Sequence, residues 1–377
     1  MRLSAPTAGA SGLAASAGIA GAQCGTPYSA NVQLACGMQI ISVQIDPGFG
    51  LLADSLKPGR LHGTPTRTGA AQLRIQARDR AGHIHALSAQ LQISANPRSL
   101  WKDLASDPKA RFAKAPLAQA KLAGPHGLEL LAVSCRGRMH ANTGAFRDDD
   151  FAIGLIGDQQ FVLIAADGAG SAPLAREGAR LAVQAALAAL GGVAVASEVA
   201  QVAALKSASR AALAEIERCA RALNEPVAAF NTTLLIALGN SHHPHTLSAL
   251  QIGDGLIAAL PKLGAWSAPL CVADQGEFHG QTHFLSAITV SDESLATRIR
   301  THHFAQLQRV LVATDGIVDP YFETESALLA PLQWQPFTRR LDDALDAANS
   351  LEALQHWLAD FTPGHHDDRT IALAVWP

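Results

Sequence analysis

Four aspartates stand at the ends of four strongly apolar segments in the second half of the chain. They follow the runs 161–166, 247–253 and 310–314 and precede the run 371–376, and in chain order they are Asp167, Asp254, Asp315 and Asp367. Short, strongly apolar runs of this kind predict buried β-strands. If these strands share one sandwich and the marked ends coincide, the four carboxylates converge although they lie far apart in the chain.

Carboxylates held close together repel one another, and the repulsion is relieved either by protonation at a raised pKa or by a bound cation. Hard oxygen ligands with room for water favour Mg²⁺ or Mn²⁺ over zinc. A single Asp-Gly pair after a strand is most often a turn. Four such acids, each at the end of a buried strand, instead predict a divalent-cation site.

Composition excludes several other classes of protein. The chain has 377 residues, a formal net charge of −3 and 48% hydrophobic residues. A chain of this length and hydrophobicity can bury a sizeable core, which excludes a small disulfide-stapled scaffold and intrinsic disorder. Charged residues make up only 16% of the chain, so we expect no clustered basic surface and no nucleic-acid partner.

The region 128–377 combines the apolar strands with two long Ala-rich segments, 174–190 and 197–221. Both segments have helical character and lie between the strand 161–166 and a further apolar strand, 233–238. Strands in runs with helices inserted, rather than strict β-α-β alternation, predict an α+β fold in which a β-sandwich is flanked by helices.

The N-terminal region, 18–95, shows alternating apolar residues between turns, which predicts a small all-β sandwich. Two of its phrases, Gly25-Thr-Pro-Tyr-Ser29 and Gly59-Arg-Leu-His-Gly-Thr-Pro-Thr-Arg-Thr-Gly69, resemble the Ig-like modules of bacterial proteins. The resemblance implies an Ig-like sandwich without chemistry of its own. Residues 96–127 contain four prolines and short helical pieces, and we expect a linker there.

The acidic motifs carry a more specific resemblance. The chain contains, in order, Arg147-Asp-Asp-Asp150, Asp167-Gly-Ala-Gly-Ser171, Gly253-Asp-Gly255, Thr314-Asp-Gly-Ile-Val-Asp319 and Asp367-Asp-Arg-Thr370. From about residue 128 to residue 377 it resembles the metal-dependent protein phosphatases of the 2C type. It is most similar to their bacterial branch, whose Gly-x-x-His segment corresponds to Gly137-Arg-Met-His140.

The resemblance implies a pair of stacked β-sheets with two metal ions, Mg²⁺ or Mn²⁺, at one end. It implies that Asp167 bridges both ions and that the backbone carbonyl of Gly168 binds one of them. Asp315 and Asp367 would then complete the shell of the other ion.

Four further aspartates receive roles from the same resemblance. Asp149 would act through a metal-bound water, and Asp150 would orient the water nucleophile. Asp254 and Asp319 are candidates for a weaker third metal ion.

A phosphate substrate needs a cation or several hydrogen-bond donors, and the candidates lie around the first acidic motif. We favour His140 and Arg138, while Arg136 and Arg147 stay open.

The general acid is a second open question. Some relatives carry a histidine in the Asp-Gly-x-Gly loop as proposed general acid, but this chain has Ala169 there. Protonation of the leaving group would then come from metal-bound water, from His140, or from one of His365 and His366.

The implied function is hydrolysis of phosphoserine and phosphothreonine in proteins, opposing a bacterial Ser/Thr kinase. The polar insertion 261–301 would shape the choice of substrate. Two other functions stay open. One is a phosphoprotein-binding scaffold with vestigial turnover, recruited through the Ig-like module, and the other is an exported adhesin-like protein.

Targeting signals are weak. The stretches 3–23 and 181–197 lack the apolar length and flanks of a membrane span, although a weak export signal ending near Ala20 stays open. Five cysteines without a C-x-x-C pair favour a reducing compartment. We therefore expect a cytoplasmic protein without a membrane partner, and a native Cys24–Cys36 bridge would contradict this.

Overall fold

A computed structural model describes residues 17–34, 38–192, 197–242, 245–261, 268–271 and 282–377. Its contacts divide the chain into two compact units, Met1–Trp101 and Lys102–Pro377. The described cysteines, Cys24, Cys135, Cys219 and Cys271, are free thiols. Cys36 and parts of the stretch 3–23 and of the insertion 261–301 lie outside the described residues. None of the described helices is long and apolar enough to cross a membrane.

The described part of the first unit is made of strands and one 3-10 turn, Pro97–Leu100. The strands are β1 (Ala17–Gly18), β2 (Ala22–Gln23), β3 (Tyr28–Asn31), β4 (Gln33–Leu34), β5 (Gln39–Ile45), β6 (Leu51–Ala53), β7 (Arg60–Gly63), β8 (Gly69–Arg78) and β9 (Ile84–Ser94). They form a four-stranded sheet, β2-β9-β8-β5, a three-stranded sheet, β3-β7-β6, and the pair β1-β4. Alternate residues of β8, Leu73 and Ile75, share one core with Leu61 of β7. The predicted all-β architecture is confirmed, and the Ig-like assignment stays a prediction.

The strands of the second unit continue the numbering. They are β10 (Leu117–Ala123), β11 (Glu129–Cys135), β12 (Asp150–Ile156), β13 (Gln160–Ala166), β14 (Leu234–Asn240), β15 (His245–Ile252), β16 (Leu256–Pro261), β17 (Ala268–Pro269), β18 (Ile299–Phe304), β19 (Leu307–Ala313) and β20 (Arg369–Val375).

The α-helices of the second unit are α1 (Arg138–Thr143), α2 (Ala175–Leu190), α3 (Glu198–Leu223), α4 (Asp292–Arg298), α5 (Asp315–Val318), α6 (Glu325–Leu328), α7 (Trp334–Leu345) and α8 (Ser350–Leu358). Short 3-10 turns lie at Pro125–Gly127, Val227–Phe230 and Pro331–Gln333. The two predicted long helices are confirmed as α2 and α3. The side chain of Ser197 caps α3 by accepting a hydrogen bond from the backbone N–H of Ala200 at 3.2 Å.

Two antiparallel sheets form the centre of the second unit. One has the strand order β10-β11-β20-β19-β16-β17 and the other β12-β13-β14-β15-β18. One apolar cluster lies between the sheets, a second joins the five-stranded sheet to α2 and α3, and a third joins the six-stranded sheet to α7 and α8. The predicted β-sandwich flanked by helices is therefore confirmed.

Strand β13 shows why these segments read as continuous apolar runs. Its residues Phe161 and Leu163 belong to the cluster between the sheets, whereas Val162 and Ile164 belong to the cluster under α2 and α3. Because successive side chains of a strand point to opposite faces, a strand covered on both faces needs apolar residues at every position.

The hydrogen-bond register aligns the strand ends that carry the acids. Ala166, at the end of β13, pairs with Asp150, the first residue of β12. Ala313, at the end of β19, pairs with Leu256 at the start of β16 and with Ile371 near the start of β20. In each sheet, the loops that carry the aspartates therefore leave from the same end of the strands.

The predicted linker 96–127 differs from the structure. Its residues from Lys102 onward belong to the second unit, and β10 pairs with β11 over seven residues, with Leu117 opposite Cys135. Pro116 and Pro125 flank this edge strand rather than interrupt it, and proline is tolerated at such positions. The second unit thus begins before the predicted boundary at Leu128.

Candidate metal centre

Three aspartates from three loops lie together at one end of the second unit. One carboxylate oxygen each of Asp167, Asp254 and Asp315 lies within 4.8 Å of the other two. Asp167 and Asp254 follow β13 and β15 of the five-stranded sheet, and Asp315 follows β19 of the six-stranded sheet. The structure thus brings together strand ends that are remote in the chain, while the roles of these residues as ligands stay predictions.

Burial and mutual repulsion disfavour the charged forms of these acids. Burial raises the pKa of Asp167 and of Asp315 well above the usual range of a carboxyl group. The neighbouring charges of Asp149 and Asp367 raise the pKa of both residues further. A bound dication would reverse this effect, because it stabilises the ionised carboxylates.

Asp149 is almost completely buried, with 1% of its surface exposed. The hydroxyl of Thr314 donates a hydrogen bond of 2.8 Å to its Oδ2. Burial, followed by the charge of Asp368, raises the pKa of Asp149 to about 7. Asp149 is therefore an acid whose ionisation at neutral pH depends on a nearby cation.

Glycines next to the aspartates allow the loops to meet. Gly253 adopts φ +99°, and a Cβ atom there would lie 2.5 Å from the Cγ2 of Thr233. A Cβ atom on Gly316 would lie 2.0 Å from the carbonyl oxygen of Asp368. Gly253 thus combines a left-handed backbone conformation with a close contact, and Gly316 allows a close approach to the backbone of Asp368.

The backbone around Asp167 is held by two threonines. Its N–H donates to the Oγ1 of Thr233 at 2.9 Å, and its carbonyl accepts hydrogen bonds of 2.8 Å from the Thr233 N–H and from the Oγ1 of Thr232. The next residue, Gly168, packs so closely on α2 that a Cβ atom would lie 2.9 Å from the carbonyl carbon of Ala175. These contacts fix the loop that presents the Asp167 carboxylate.

Asp254 and Asp319 are the predicted candidates for a third ion. The hydroxyl of Thr282, in the predicted insertion, donates to the Oδ2 of Asp254 at 2.6 Å. Burial and then the charge of Asp254 raise the pKa of Asp319, and His365 opposes this increase. The two aspartates therefore interact electrostatically, while Asp254 also belongs to the three-carboxylate group.

A second group consists of His140, Asp367 and Asp368, each with one ligand atom within 4.8 Å of the others. The Asp368 carboxylate accepts hydrogen bonds from the backbone N–H groups of Gly137 at 2.6 Å and Asp148 at 2.5 Å. It also lies 3.0 Å from the Nδ1 of His140. Asp368 therefore ties the segment before β12 to the loop before β20.

His140 lies between two carboxylates. Its Nε2 is 3.5 Å from the Oδ2 of Asp148, and its Nδ1 faces Asp368. Burial lowers the pKa of His140, but the hydrogen bond to Asp368 and the nearby carboxylate charges outweigh this effect and raise it to about 9. His140 thus carries a positive charge at neutral pH.

The three arginines among the predicted phosphate-binding cations all donate to protein oxygens. These hydrogen bonds, of 2.6 to 3.0 Å, run from Arg138 to the carbonyl of Ala359, from Arg147 to the carbonyl of Asp149, and from Arg136 to the carboxylate of Asp103. Arg138 also lies 5.3 Å from the ring centre of Phe361. His140, the fourth predicted cation, has a ring nitrogen within 4.8 Å of a carboxylate oxygen of Asp367.

Lys114 is a residue of this region that no sequence motif marks. Its Nζ lies 2.9 Å from the Oδ2 of Asp150 and donates a hydrogen bond of 2.6 Å to the carbonyl of Asp149. Only 10% of its side chain is exposed. A single lysine between prolines has no spacing or periodicity that would mark it in the sequence.

The fold and the cluster together define a class of protein, a two-sheet sandwich with layers of helices that gathers buried carboxylates at one end. A family model described as protein phosphatase 2C matches residues 136–361, which is more than half of the chain. The chain belongs to the protein phosphatase 2C family.

Several solved structures are similar to this chain at low identity. The serine/threonine phosphatase Stp1 from Staphylococcus aureus is 11% identical, with 71% of this chain and 99% of that chain covered and a TM-score of 0.45. A serine-threonine phosphatase 2C from Toxoplasma gondii is 12% identical, with 70% and 100% covered and a TM-score of 0.46. The catalytic domain of the phosphatase PstP, in complex with two manganese ions, is 17% identical, with 66% and 97% covered and a TM-score of 0.43. A comparison with curated proteins gave no match, and the family assignment rests on the family model.

Proposed function

We propose that this chain is a Mg²⁺- or Mn²⁺-dependent phosphatase that hydrolyses phosphoserine and phosphothreonine in proteins. The observation that carries the proposal is the approach of the Asp167, Asp254 and Asp315 carboxylates to within 4.8 Å of one another. Membership of the protein phosphatase 2C family supports the same chemistry.

The donor set fits hard divalent cations, because it consists of a neutral carbonyl oxygen and carboxylates, and burial disfavours the charged form of Asp167 and Asp315 in the absence of a cation. The residues proposed to hold two ions are Asp149, Asp167, Gly168, Asp315 and Asp367, with Asp254 and Asp319 for a third. When bound, such ions lower the pKa of a coordinated water and neutralise charge on the phosphoryl group.

The remaining proposed roles belong to residues beside the carboxylates. Asp150, the first residue of β12, would accept a hydrogen bond from the attacking water and orient it. His140 would bind phosphate oxygens, and its Nε2 would have to exchange its contact with the Asp148 carboxylate at 3.5 Å for one to phosphate. Arg138 is proposed for the same task, and it would have to exchange its bond to the Ala359 carbonyl for one to phosphate.

The test is phosphate release from a phosphothreonine peptide with and without Mn²⁺. We expect hydrolysis with Mn²⁺, and we expect Asp167→Asn and Asp315→Asn to reduce it by more than about 100-fold, since outer partners of metal sites already contribute about 10- to 100-fold. Asp158→Asn is the matched control, because Asp158 is exposed in the turn between β12 and β13.

Absence of hydrolysis with either Mn²⁺ or Mg²⁺ would refute the proposal, as would full activity in the Asp167 and Asp315 variants. Phosphopeptide binding measured by calorimetry without any turnover would instead support the scaffold function.

We further propose that a Ser/Thr kinase of the same cell supplies the phosphoprotein substrate in the cytoplasm. The first unit, as an Ig-like module, would recruit this phosphoprotein. The proposal predicts that deletion of residues 1–101 raises KM for the phosphoprotein but not for a short phosphopeptide. Equal KM values for both substrates, or fractionation of the protein outside the cell, would contradict it.

A further inference from the structure

We infer that Lys114 is a positioning residue that orients the carboxylate of Asp150. Lys114 lies in residues 102–116, the part of the second unit before β10, which we call the strap. The inference deepens the proposed function and rests on it, because it concerns the carboxylate proposed to orient the attacking water. The strap lies before residue 136, where the match to the family model begins.

The ammonium group of Lys114 has an acceptor for each of its three N–H donors. Its Nζ lies 2.9 Å from the Oδ2 of Asp150, 2.6 Å from the carbonyl oxygen of Asp149 and 3.5 Å from that of Arg176. Burial of a charged group is costly unless it is paired and hydrogen-bonded. The complete set of acceptors explains how a lysine with 10% exposure is accommodated here.

The Asp150 carboxylate is held from two directions. Its Oδ1 accepts a hydrogen bond of 2.9 Å from the backbone N–H of Phe151, and its Oδ2 faces the ammonium of Lys114. Each oxygen has a second lone pair that can still accept a hydrogen bond from water. Because Asp150 pairs with Ala166, directly before Asp167, the backbone of Asp150 lies beside the start of the Asp167 loop.

The strap is fixed on both sides of Lys114 by three arginines from the rest of the second unit. Their hydrogen bonds run from Arg176 to the carbonyls of Arg111 at 2.9 Å and Phe112 at 3.0 Å, from Arg147 to the carbonyl of Ala115 at 3.5 Å, and from the Arg136 N–H to the carbonyl of Pro116 at 2.7 Å. The backbone on both sides of the lysine is thus held in place by the second unit, and its contact with Asp150 is set by the fold rather than by chance surface contact.

The experiment compares Lys114→Met with Lys121→Met in the full chain. The matched control removes an ion pair of 2.8 Å between Lys121 and Glu129 in which the lysine side chain is 44% exposed. Steady-state kinetics on a phosphothreonine peptide, calorimetric Mn²⁺ binding and a crystal structure of the Lys114 variant are measured. If Lys114→Met is unstable, Lys114→Gln removes the charge but keeps a donor for the Asp149 carbonyl.

For Lys114→Met we expect kcat to fall by about 10- to 100-fold, which is the usual effect of losing a group that orients a metal-site partner. We expect KM and the Mn²⁺ dissociation constant to stay within about twofold, and the Asp150 carboxylate to rotate in the crystal structure. In an Asp150→Asn background, Lys114→Met should cause no further loss, because the lysine acts through that carboxylate. Lys121→Met should leave all these values unchanged.

An unchanged kcat in the Lys114 variant would overturn the inference. So would a fall in kcat matched by an equal loss of Mn²⁺ affinity, since that result indicates a structural role only. Failure of the proposed function gives a different pattern, because the unmodified chain would then show no hydrolysis. In that case the crystal structure of the variant still decides, and an Asp150 carboxylate in its original position would refute the positioning role.

Discussion

In the absence of divalent cations, the free energy of unfolding should fall as the pH rises through the neutral range. Burial raises the pKa of Asp149 from 3.8 to about 7, so the metal-free folded protein keeps this proton over a pH range in which the unfolded chain has lost it. Stability falls with rising pH wherever the folded state binds more protons than the unfolded state. Between pH 5 and pH 8, the titration of Asp149 alone should lower the free energy of unfolding by about 3 kcal/mol, at 1.36 kcal/mol per pKa unit.

Two neighbours change stability in the same direction. Burial raises the pKa of Asp148 to about 6. By the same argument, Asp148 lowers the stability of the folded state as the pH rises from 4 to 6. The pKa of His140 rises from 6.5 to about 9, and its stabilising charge is fully present below pH 6.5 and lost as the pH rises through 9. The combined dependence therefore has one sign from acid to weakly alkaline pH.

The assay is urea unfolding at pH 5 and pH 8, in EDTA and in Mn²⁺. In EDTA we expect lower stability at pH 8, and Mn²⁺ should restore it, because a cation that binds only the folded state stabilises it by mass action. Asp149→Asn should reduce the pH dependence in EDTA by about 3 kcal/mol, whereas the control Asp158→Asn should keep it. A metal-free protein whose stability is constant or rises from pH 5 to pH 8 would refute the reasoning.

Three further predictions concern other parts of the second unit. Gly316→Ala should lower the free energy of unfolding by about 3 kcal/mol in urea titration, because its Cβ would lie 2.0 Å from the carbonyl oxygen of Asp368; an unchanged midpoint would contradict the close packing. Asp254→Asn should reduce the number of Mn²⁺ ions bound per chain in calorimetry, and unchanged stoichiometry would remove this residue from the proposed ligands. A chain beginning at Leu128 should melt at lower temperature and lose phosphatase activity relative to one beginning at Lys102, because it lacks β10 and the strap; equal melting temperature and activity would show that these residues are dispensable.

Elements with a strong local pattern were predicted closely. The apolar run 161–166 corresponds to β13, and the Ala-rich segments correspond to α2 and α3 within two residues at each end. The polar insertion 261–301 received no helix or strand from its sequence pattern, whereas its described residues include α4 and the start of β18. The sequence of β18, Ile299-Arg-Thr-His-His-Phe304, has no continuous apolar run, because most side chains of this edge strand are half-buried or exposed.

The candidate site also contains residues that the sequence identified and residues that it did not. Asp167, Asp254 and Asp315 were identified because each directly follows a recognisable strand, and the structure brings them together. Thr314 was overlooked as a hydrogen-bond donor to Asp149, because a hydroxyl at a strand end has no distinctive sequence signal.

The order of apolar runs, helices and acidic strand ends was sufficient to predict which segments are buried and which carboxylates belong to one site, because burial and strand length are recorded locally in the chain. Only the folded molecule shows that Lys114 reaches Asp150 and that Asp368 holds His140. These contacts depend on strand order, register and the course of the strap, and such long-range relations leave no periodic pattern in the sequence.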